Sequence, residues 1–415
     1  MPASVCLVST GNLASNPRLI KEADALHGAG YRVTVIACDY TASFRDYDDA
    51  IERAAPWKTV RVPRPPAERL TGIAARAIGR ALDAVGLDVP VRVAAHAHGG
   101  PMTSLRTAAL AEPADLYIAH YVPALPAAAA AAARHGALLG YDAEDFHSGE
   151  GQGGASEEFR MEMVERIEET FLPSCRHLTA ASPLIARAYA ARYGVVEPVS
   201  VLNVFPLAMA PAADTPSSTP GGGLRAYWFS QTIGLDRGLQ SFLQAMARAE
   251  ARVSLDIRGS NRWGHGDTLL AEARALGLGD RVRLLPMERP DEMVRLAAHY
   301  DLGLSLETDA TQSRRLCLTN KIFTYLLAGI PVMMSDTPAQ RELGSRLAAA
   351  GSVISLADPQ GMAVSLDRLA RPEVLGQARQ EAWRLGRERY NWEYERQFLL
   401  QSVARALAGR GGQAA

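Results

Sequence analysis

Residues 318–336 read LTNKIFTYLLAGIPVMMSD. The stretch is apolar at helical spacing from Asn320-Lys321 onward, stops at Gly329, and passes through Pro331 into an all-apolar strand. A helix feeding a buried strand is the repeating unit of a parallel α/β sheet. Lysine is scarce: Lys21, Lys58 and Lys321 are three of 44 basic residues. One of the three opens this helix, where unpaired N–H groups and the helix dipole already make the potential positive. A cation there is unfavourable unless an anion joins it. A phosphate would do so; the plain alternative is a lysine paired with Glu307 or Asp309 on the rim.

The same alternation extends in both directions. SVCLVS (4–9), YRVTVIAC (31–38), DLYIAH (115–120), ALLGYDAED (137–145), HLTAAS (177–182) and VSVLNV (199–204) read as strands with helices between them. Asn16-Pro17 suits the start of the first helix, with Asn as cap and Pro at the first helical position. Residues 206–223, PLAMAPAADTPSSTPGGG, read as a linker. Beyond them come RAYWFS, a helix from about 237 to 249, VSLDIRG, a helix near 267–276, VRLLPM, a helix near 290–299, LGLSLE, the Lys321 helix and PVMMSD. One long helix over roughly 373–408 ends the chain. The expected organisation is an α/β protein with two Rossmann-like, doubly wound parallel-sheet domains facing across a cleft. Residues 1–204 form an acceptor domain, 205–223 the linker, 224–372 a donor domain, and 373–415 a helix returning to the first domain.

Bulk properties exclude several classes. With 415 residues the chain exceeds one ordinary core. At 48% apolar and 21% charged residues it is globular, and a net charge of −1 gives no electrostatic reason to expect nucleic acid. Cys6, Cys38, Cys175 and Cys317 have neither zinc nor CxxC spacing and fit a reducing compartment. The N-terminus lacks the pattern of a signal peptide, and no stretch is long and apolar enough to span a bilayer, so the expected location is cytoplasmic.

Ligands of open α/β sheets bind outside the carboxyl ends of the strands. Candidates therefore sit at those ends. Lys321 follows LGLSLE. Arg237 lies near the helix start after Phe229-Ser230-Gln231, and two cations at two helix starts suit a diphosphate. Arg258-Gly259-Ser260 ends VSLDIRGS, where glycine permits close approach or makes a plain turn. In the first half, TGNLASNPR (10–18) carries Gly11 but no GxGxxG, which disfavours a nicotinamide dehydrogenase. Asp142, Glu144, Asp145 and His147 cluster in YDAEDFHSGE, and His120 ends DLYIAH. Carboxylates and a histidine at such an edge can act as acid, base or charge stabiliser, or serve as loop and cap groups.

Together these segments resemble the group 1 (family 4) glycosyltransferases of the GT-B fold, over roughly residues 5–400 in order. SNPRLIKEADALHGAGYRVTVI is similar to their first helix and second strand, and GYDAEDF to a Tyr-Asp-Ala-His-Glu segment of one bacterial branch. LTNKIFTYLLAGIPVMMSD is similar to that branch's Pro-Asn-Lys-Leu-Phe-Glu-Tyr segment, and YNWEYERQF to the helix that returns to the first domain. The resemblance implies a nucleotide-diphosphate sugar as donor substrate, with Arg237 near the diphosphate and Asn320 and Lys321 at the start of the donor helix; Gly11, Ser230, Gln231, Arg258, Glu307 and Thr324 join them as donor-binding candidates. It implies retention of configuration and no metal or other cofactor, and the catalytic candidates remain those read from the sheet edge, His120, Asp142, Glu144 and Asp145. The expected acceptor is a glycan or a lipid-linked acceptor, in cell-surface polysaccharide or glycoconjugate synthesis. The chain departs from the family at Thr324 and Leu316, where glutamates are usual, at Gln231, where arginine is common, and at Glu144, where the branch has histidine.

Two rivals remain open on the sequence: a non-catalytic GT-B protein that binds a nucleotide or a partner, and a nucleotide-sugar epimerase. Residues 58–106 carry eight cations against three acids, and LTGIAARAIGRALDAVG within them is amphipathic. Such a helix can lie on an anionic membrane or be an ordinary surface helix. A peripheral position at the inner membrane face therefore joins the expectations.

Overall fold

The structure is a computed structural model that describes residues 2–39, 41–212 and 223–411. The chain divides into two compact units. One comprises Met1–Val201 with Arg396–Ala415, and the other Leu202–Glu395. Most of the expected linker, residues 213–222, lies outside the described residues.

The first unit is built on seven parallel strands: β1 (Ser4–Ser9), β2 (Arg32–Asp39), β3 (Lys58–Pro63), β4 (Leu116–His120), β5 (Leu138–Ala143), β6 (Cys175–Ala180) and β7 (Val199–Ser200). Their order is β3-β2-β1-β4-β5-β6-β7. The strands are near-continuous apolar runs because helices cover both faces: Val5 to Val8 and Leu116 to Ala119 are all buried. Helix Pro17–Gly28 starts as the sequence predicts, with the Asn16 side chain accepting from the Leu19 N–H at 3.0 Å and Pro17 in the first turn.

The second unit repeats the plan with six parallel strands: β8 (Leu224–Thr232), β9 (Val253–Ser260), β10 (Val282–Leu285), β11 (Leu302–Ser305), β12 (Val332–Ser335) and β13 (Gly351–Ile354), ordered β10-β9-β8-β11-β12-β13. Its core joins Trp228, Phe242, Leu255, Leu304 and Met333. Each sheet grows first one way from its opening strand and then the other. This puts a switch point between β1 and β4 in one unit and between β8 and β11 in the other, where loops diverge and leave room for a ligand.

Four expectations are corrected. VSVLNV is strand only at Val199–Ser200. The helix near 290–299 is a 3₁₀ turn, Pro290–Glu292, followed by a short helix, Met293–Ala297. The terminal helix is two, Pro372–Glu388 and Trp392–Gly411, because Asn391 turns its amide onto the carbonyls of Gly386 and Arg387 and caps the second with its side-chain oxygen. Strands β3 and β13, absent from the sequence reading, close the two sheets at opposite ends of their order. No helix among the described residues is long and apolar enough to cross a membrane.

Candidate functional site

The switch point of the second unit holds a cluster of charges. Glu307 stands just past β11 and is 2% exposed. Its backbone is fixed by Ser335 at the end of β12, whose hydroxyl accepts from the Glu307 N–H at 2.9 Å and donates to the Glu307 carbonyl at 2.6 Å. Three cations converge on its carboxylate. Lys321 Nζ, at the start of helix Asn320–Ala328, is 3.0 Å from Oε1. Arg237 Nη1, from the loop after β8, donates to Oε2 at 3.2 Å. Arg314 Nη1, on the short helix Gln312–Leu316, is 3.8 Å from the same oxygen. Lys321 is 6% exposed. The bland expectation of a Lys321–Glu307 pair is thus correct in partner, but the pair is buried rather than on the rim.

The electrostatics leave a surplus. Burial alone would raise the Glu307 carboxyl, yet Lys321 and Arg237 override it and hold it below the usual carboxylate range. Arg314 also binds Asp236 at 2.6 Å. Three cations against two carboxylates leave one positive charge over, beside a helix N-terminus. Glu307 Oε1 faces the Lys321 ammonium as an ion partner but receives no aligned hydrogen bond. Such a pocket can take a doubly charged anion.

The other donor-side candidates divide. Ser230 is half-buried and Gln231 exposed at the end of β8, and Asn320 is exposed at its helix start. Arg258 is committed within the fold: Nε donates to the Tyr227 hydroxyl at 2.8 Å and Nη1 to the Pro286 carbonyl at 2.7 Å. Gly259 admits the neighbouring strand, since a Cβ there would lie 2.7 Å from the Ser230 carbonyl oxygen. Thr324 is fully buried, and its hydroxyl donates back to the Asn320 carbonyl at 3.0 Å. Arg314 and Asp236 were missed by the sequence reading. The signal was available: Thr311 is a helix cap, its hydroxyl accepting from the Arg314 N–H at 3.2 Å, and it fixes a turn that aims Arg314 at the loop after β8.

In the first unit the register places Ser9, His120, Asp142 and Thr179 in one row across β1, β4, β5 and β6. Helix Pro17–Gly28 lays Arg18 and Glu22 over that row. Arg18 grips Asp142 with two bonds, Nε to Oδ2 at 2.6 Å and Nη2 to Oδ1 at 2.7 Å, and Thr179 donates to Oδ1 at 2.5 Å. His120 Nε2 is 2.9 Å from Glu22 and Nδ1 is 3.5 Å from Asp142. The result is a buried chain of alternating charge, Arg18–Asp142–His120–Glu22. Burial opposes protonation of His120, but Glu22 and then Asp142 win and raise its pKa. Burial likewise opposes ionisation of Asp142, and Arg18 more than reverses it, so the group stays a carboxylate. In this arrangement Asp142 positions Arg18 and His120 and donates no proton. Glu22, His120 and Asp142 offer three ligand atoms within 4.8 Å of one another. Both Asp142 oxygens are already taken by Arg18, whose charge repels a metal ion there.

Glu144 and Asp145 follow β5, both half-buried. Burial, reinforced by Asp145, raises the Glu144 carboxyl. Lys21 feels Glu144 and Asp142, yet burial and Arg18 bring its ammonium down to about 7. Next to His120, Tyr121 has φ 68° and ψ 145°, a region that glycine occupies at little cost and tyrosine does not. Gly11 lies in the loop after β1, its N–H donating to the Ser9 hydroxyl at 3.2 Å. His147 Nδ1 pairs with Glu150 at 2.8 Å. Burial would lower its pKa, but this partner raises it to about 9.

No family model matches the chain, and no curated protein matches it in sequence. Solved structures do. HepE from Anabaena, in complex with UDP and glucose, is 15% identical with a TM-score of 0.69, over 97% of this chain and 100% of that one. Sucrose-phosphate synthase from Thermosynechococcus elongatus is 13% identical with a TM-score of 0.72, over 99% and 100%. TarM from S. aureus, in complex with fondaparinux, α-GlcNAc-glycerol and UDP, is 10% identical with a TM-score of 0.63, over 98% and 100%. At these identities the likeness establishes the fold: the chain has the GT-B architecture of two Rossmann-like, doubly wound parallel-sheet domains.

Proposed function

We propose that this protein is a glycosyltransferase that takes a sugar from a nucleotide-diphosphate sugar. The observation that carries the reading is the surplus positive charge around Glu307, built from Lys321, Arg237 and Arg314 at the switch point of the second unit. The HepE and TarM structures, which share the fold, hold UDP. As the glycosidic bond breaks, negative charge grows on the leaving phosphate. Fixed cations and a helix N-terminus stabilise that state more than the ground state. The same cations supply the charge that a divalent metal would otherwise bring, which supports a metal-independent reaction. Within the first unit, Glu144, whose carboxyl is raised and which lies two residues past Asp142 of the Arg18–Asp142–His120–Glu22 chain, is the acid–base candidate. We assign retention of configuration and a glycan or lipid-linked acceptor on the family resemblance.

Thr324 favours a second reading. Its buried, back-bonded hydroxyl leaves no carboxylate at this position to accept two charge-assisted bonds from a ribose diol. A nucleotide-binding protein without turnover fits that substitution. Mass spectrometry of the chain incubated with UDP-, GDP-, dTDP- and ADP-sugars, together with glycan and lipid-linked acceptors to receive the sugar, decides between them. Release of the matching nucleoside diphosphate with transfer of the sugar is the expected outcome. Binding of a diphosphate with no release from any donor establishes the second reading instead.

A further inference from the structure

The cluster at Glu307 repels as well as attracts. Lys321 on helix Asn320–Ala328, Arg237 in the loop after β8 and Arg314 on helix Gln312–Leu316 face Glu307 and its neighbour Asp236, so three cations meet two carboxylates. The adjoining pair of Arg315 and Asp309, 3.4 Å apart, adds no net charge. Tyr325, which also feels Glu307, is kept neutral by burial. The charges are held in place. Arg314 grips the loop after β8 through the Asp236 carboxylate at 2.6 Å and the Asp236 carbonyl at 3.1 Å, and Thr308 donates to that carbonyl at 3.2 Å. Glu307 is tied to Ser335 through both its N–H and its carbonyl.

The two carboxylates differ in reach. Asp236 has a side chain 48% exposed, so water screens its charge. Glu307 is buried, and Lys321 and Arg237 keep it ionised there, where screening is weak. A structural ion partner needs one cation, whereas Glu307 draws on Lys321, Arg237 and Arg314, and its Oε1 takes no aligned hydrogen bond. An anion held by Lys321 and Arg237 therefore shares both cations with a buried like charge, and every further negative charge on that anion meets the same opposition.

We propose, resting on the nucleotide-sugar reading above, that Glu307 makes this site discriminate by charge: it weakens the hold on a free nucleoside diphosphate more than the hold on the same diphosphate esterified to a sugar, and so favours release of the product. In the transfer, the bond from the sugar to the terminal phosphate breaks and leaves its electron pair on the phosphate oxygen. The acceptor hydroxyl bonds the sugar, and its proton goes to solvent. The terminal phosphate thereby gains an ionisation with a pKa of about 6, so above pH 7 the product carries one more negative charge than the donor. Three cations less two carboxylates leave the site at plus one; with Glu307 neutral it would stand at plus two. That added attraction falls most heavily on the more highly charged product. Product release limits many enzymes, and a buried carboxylate among the phosphate-binding cations eases it.

Isothermal titration of the intact chain in metal-free buffer at pH 8, with UDP, GDP, dTDP and ADP and the glucose ester of each, tests it. For the base that the wild type accepts, Glu307→Gln should tighten the free diphosphate about tenfold more than its glucose ester. Glu307→Asp keeps the charge and should leave the ratio of the two dissociation constants near the wild-type value. Asp236→Asn, on the exposed side of the cluster, should shift that ratio about threefold at most. Lys321→Met/Glu307→Gln removes the buried pair as a unit and covers the case in which Glu307→Gln does not fold; measured against Lys321→Met, it should show the same tenfold shift. An unchanged ratio in Glu307→Gln, or in the double variant against Lys321→Met, overturns the inference and leaves the nucleotide-sugar reading standing. So does a shift of equal size in Glu307→Asp or Asp236→Asn. Binding of none of these ligands to any of these proteins overturns the nucleotide-sugar reading and the inference with it.

Discussion

Glu307 is the residue on which the donor-side account turns. It is a buried carboxylate that keeps three cations in place, so removing its charge leaves Lys321 uncompensated at a helix N-terminus. Glu307→Gln should lower stability by about 3 kcal/mol, the scale of breaking a buried ion pair. Added pyrophosphate should restore much of that loss by neutralising the cations that Glu307 no longer balances. Urea melts with and without pyrophosphate check this, and a variant that ignores pyrophosphate contradicts it. Two other residues give the protein a pH signature. His147 titrates near 9 when folded against 6.5 unfolded, so its stabilisation is full below 6.5 and is lost as pH rises towards 9. Lys21 titrates near 7 against 10.5, so the unfolded chain binds the extra proton and stability rises from 7 to 10.5. The two oppose each other between 7 and 9, so neither slope shows alone in the wild-type curve there, and the His147 contribution is read from a variant. Glu150→Gln removes the main partner of His147. It should cost on the order of 2 kcal/mol near pH 6 and progressively less towards pH 9.5. An equal cost at both pH values would contradict the assignment. The sequence made Lys321, His120 and Asp142 legible because strand ends and helix starts are marked by composition. It did not reveal Arg18 and Glu22, whose charges sit on the inward face of a helix among the buried Leu19, Ala23 and Leu26.

Helix Asn320–Ala328 is enclosed on every side, with all its residues from Lys321 on buried. Helix Pro372–Glu388 reaches it through Gly386, where an added Cβ would collide with the Leu326 carbonyl oxygen and lie 2.7 Å from Leu327 Cα. Two effects compete in Gly386→Ala. Helix propensity favours alanine by about 1 kcal/mol. Overpacking costs about 1–3 kcal/mol, and here the obstacle is backbone that cannot rotate away. The variant should therefore be destabilised, and a raised melting temperature would show that the close approach is absent. Element type was largely legible in the sequence, since apolar runs and caps are local. What escaped was non-local. The break at Asn391 depends on side-chain bonds to the preceding helix. The amphipathic pattern at 66–84 was legible, but not that its small residues face inward.

At the scale of the whole molecule, two sheets with the same order place two switch points, and one of them carries the surplus of positive charge. The GT-B architecture was legible because the strand–helix alternation restarts after residue 223, although the chain shares only 10–15% of its residues with the solved structures that it resembles. Identity this low carries the fold through hydrophobic pattern alone, while specificity rests on side chains such as Thr324 and Gln231 that follow no pattern. The central claim is that Lys321, Arg237 and Arg314 bind a nucleoside diphosphate. The measurement that tests it most directly is the thermal stability of the wild type and of Lys321→Ala with UDP, GDP, dTDP and ADP, and with CMP as the monophosphate control. At about 100 times its dissociation constant, a ligand adds roughly 2.7 kcal/mol. One diphosphate should stabilise the wild type, CMP should not, and Lys321→Ala should lose the effect. A wild type that none of the diphosphates stabilises, or a Lys321→Ala variant stabilised as strongly as the wild type, would contradict the claim.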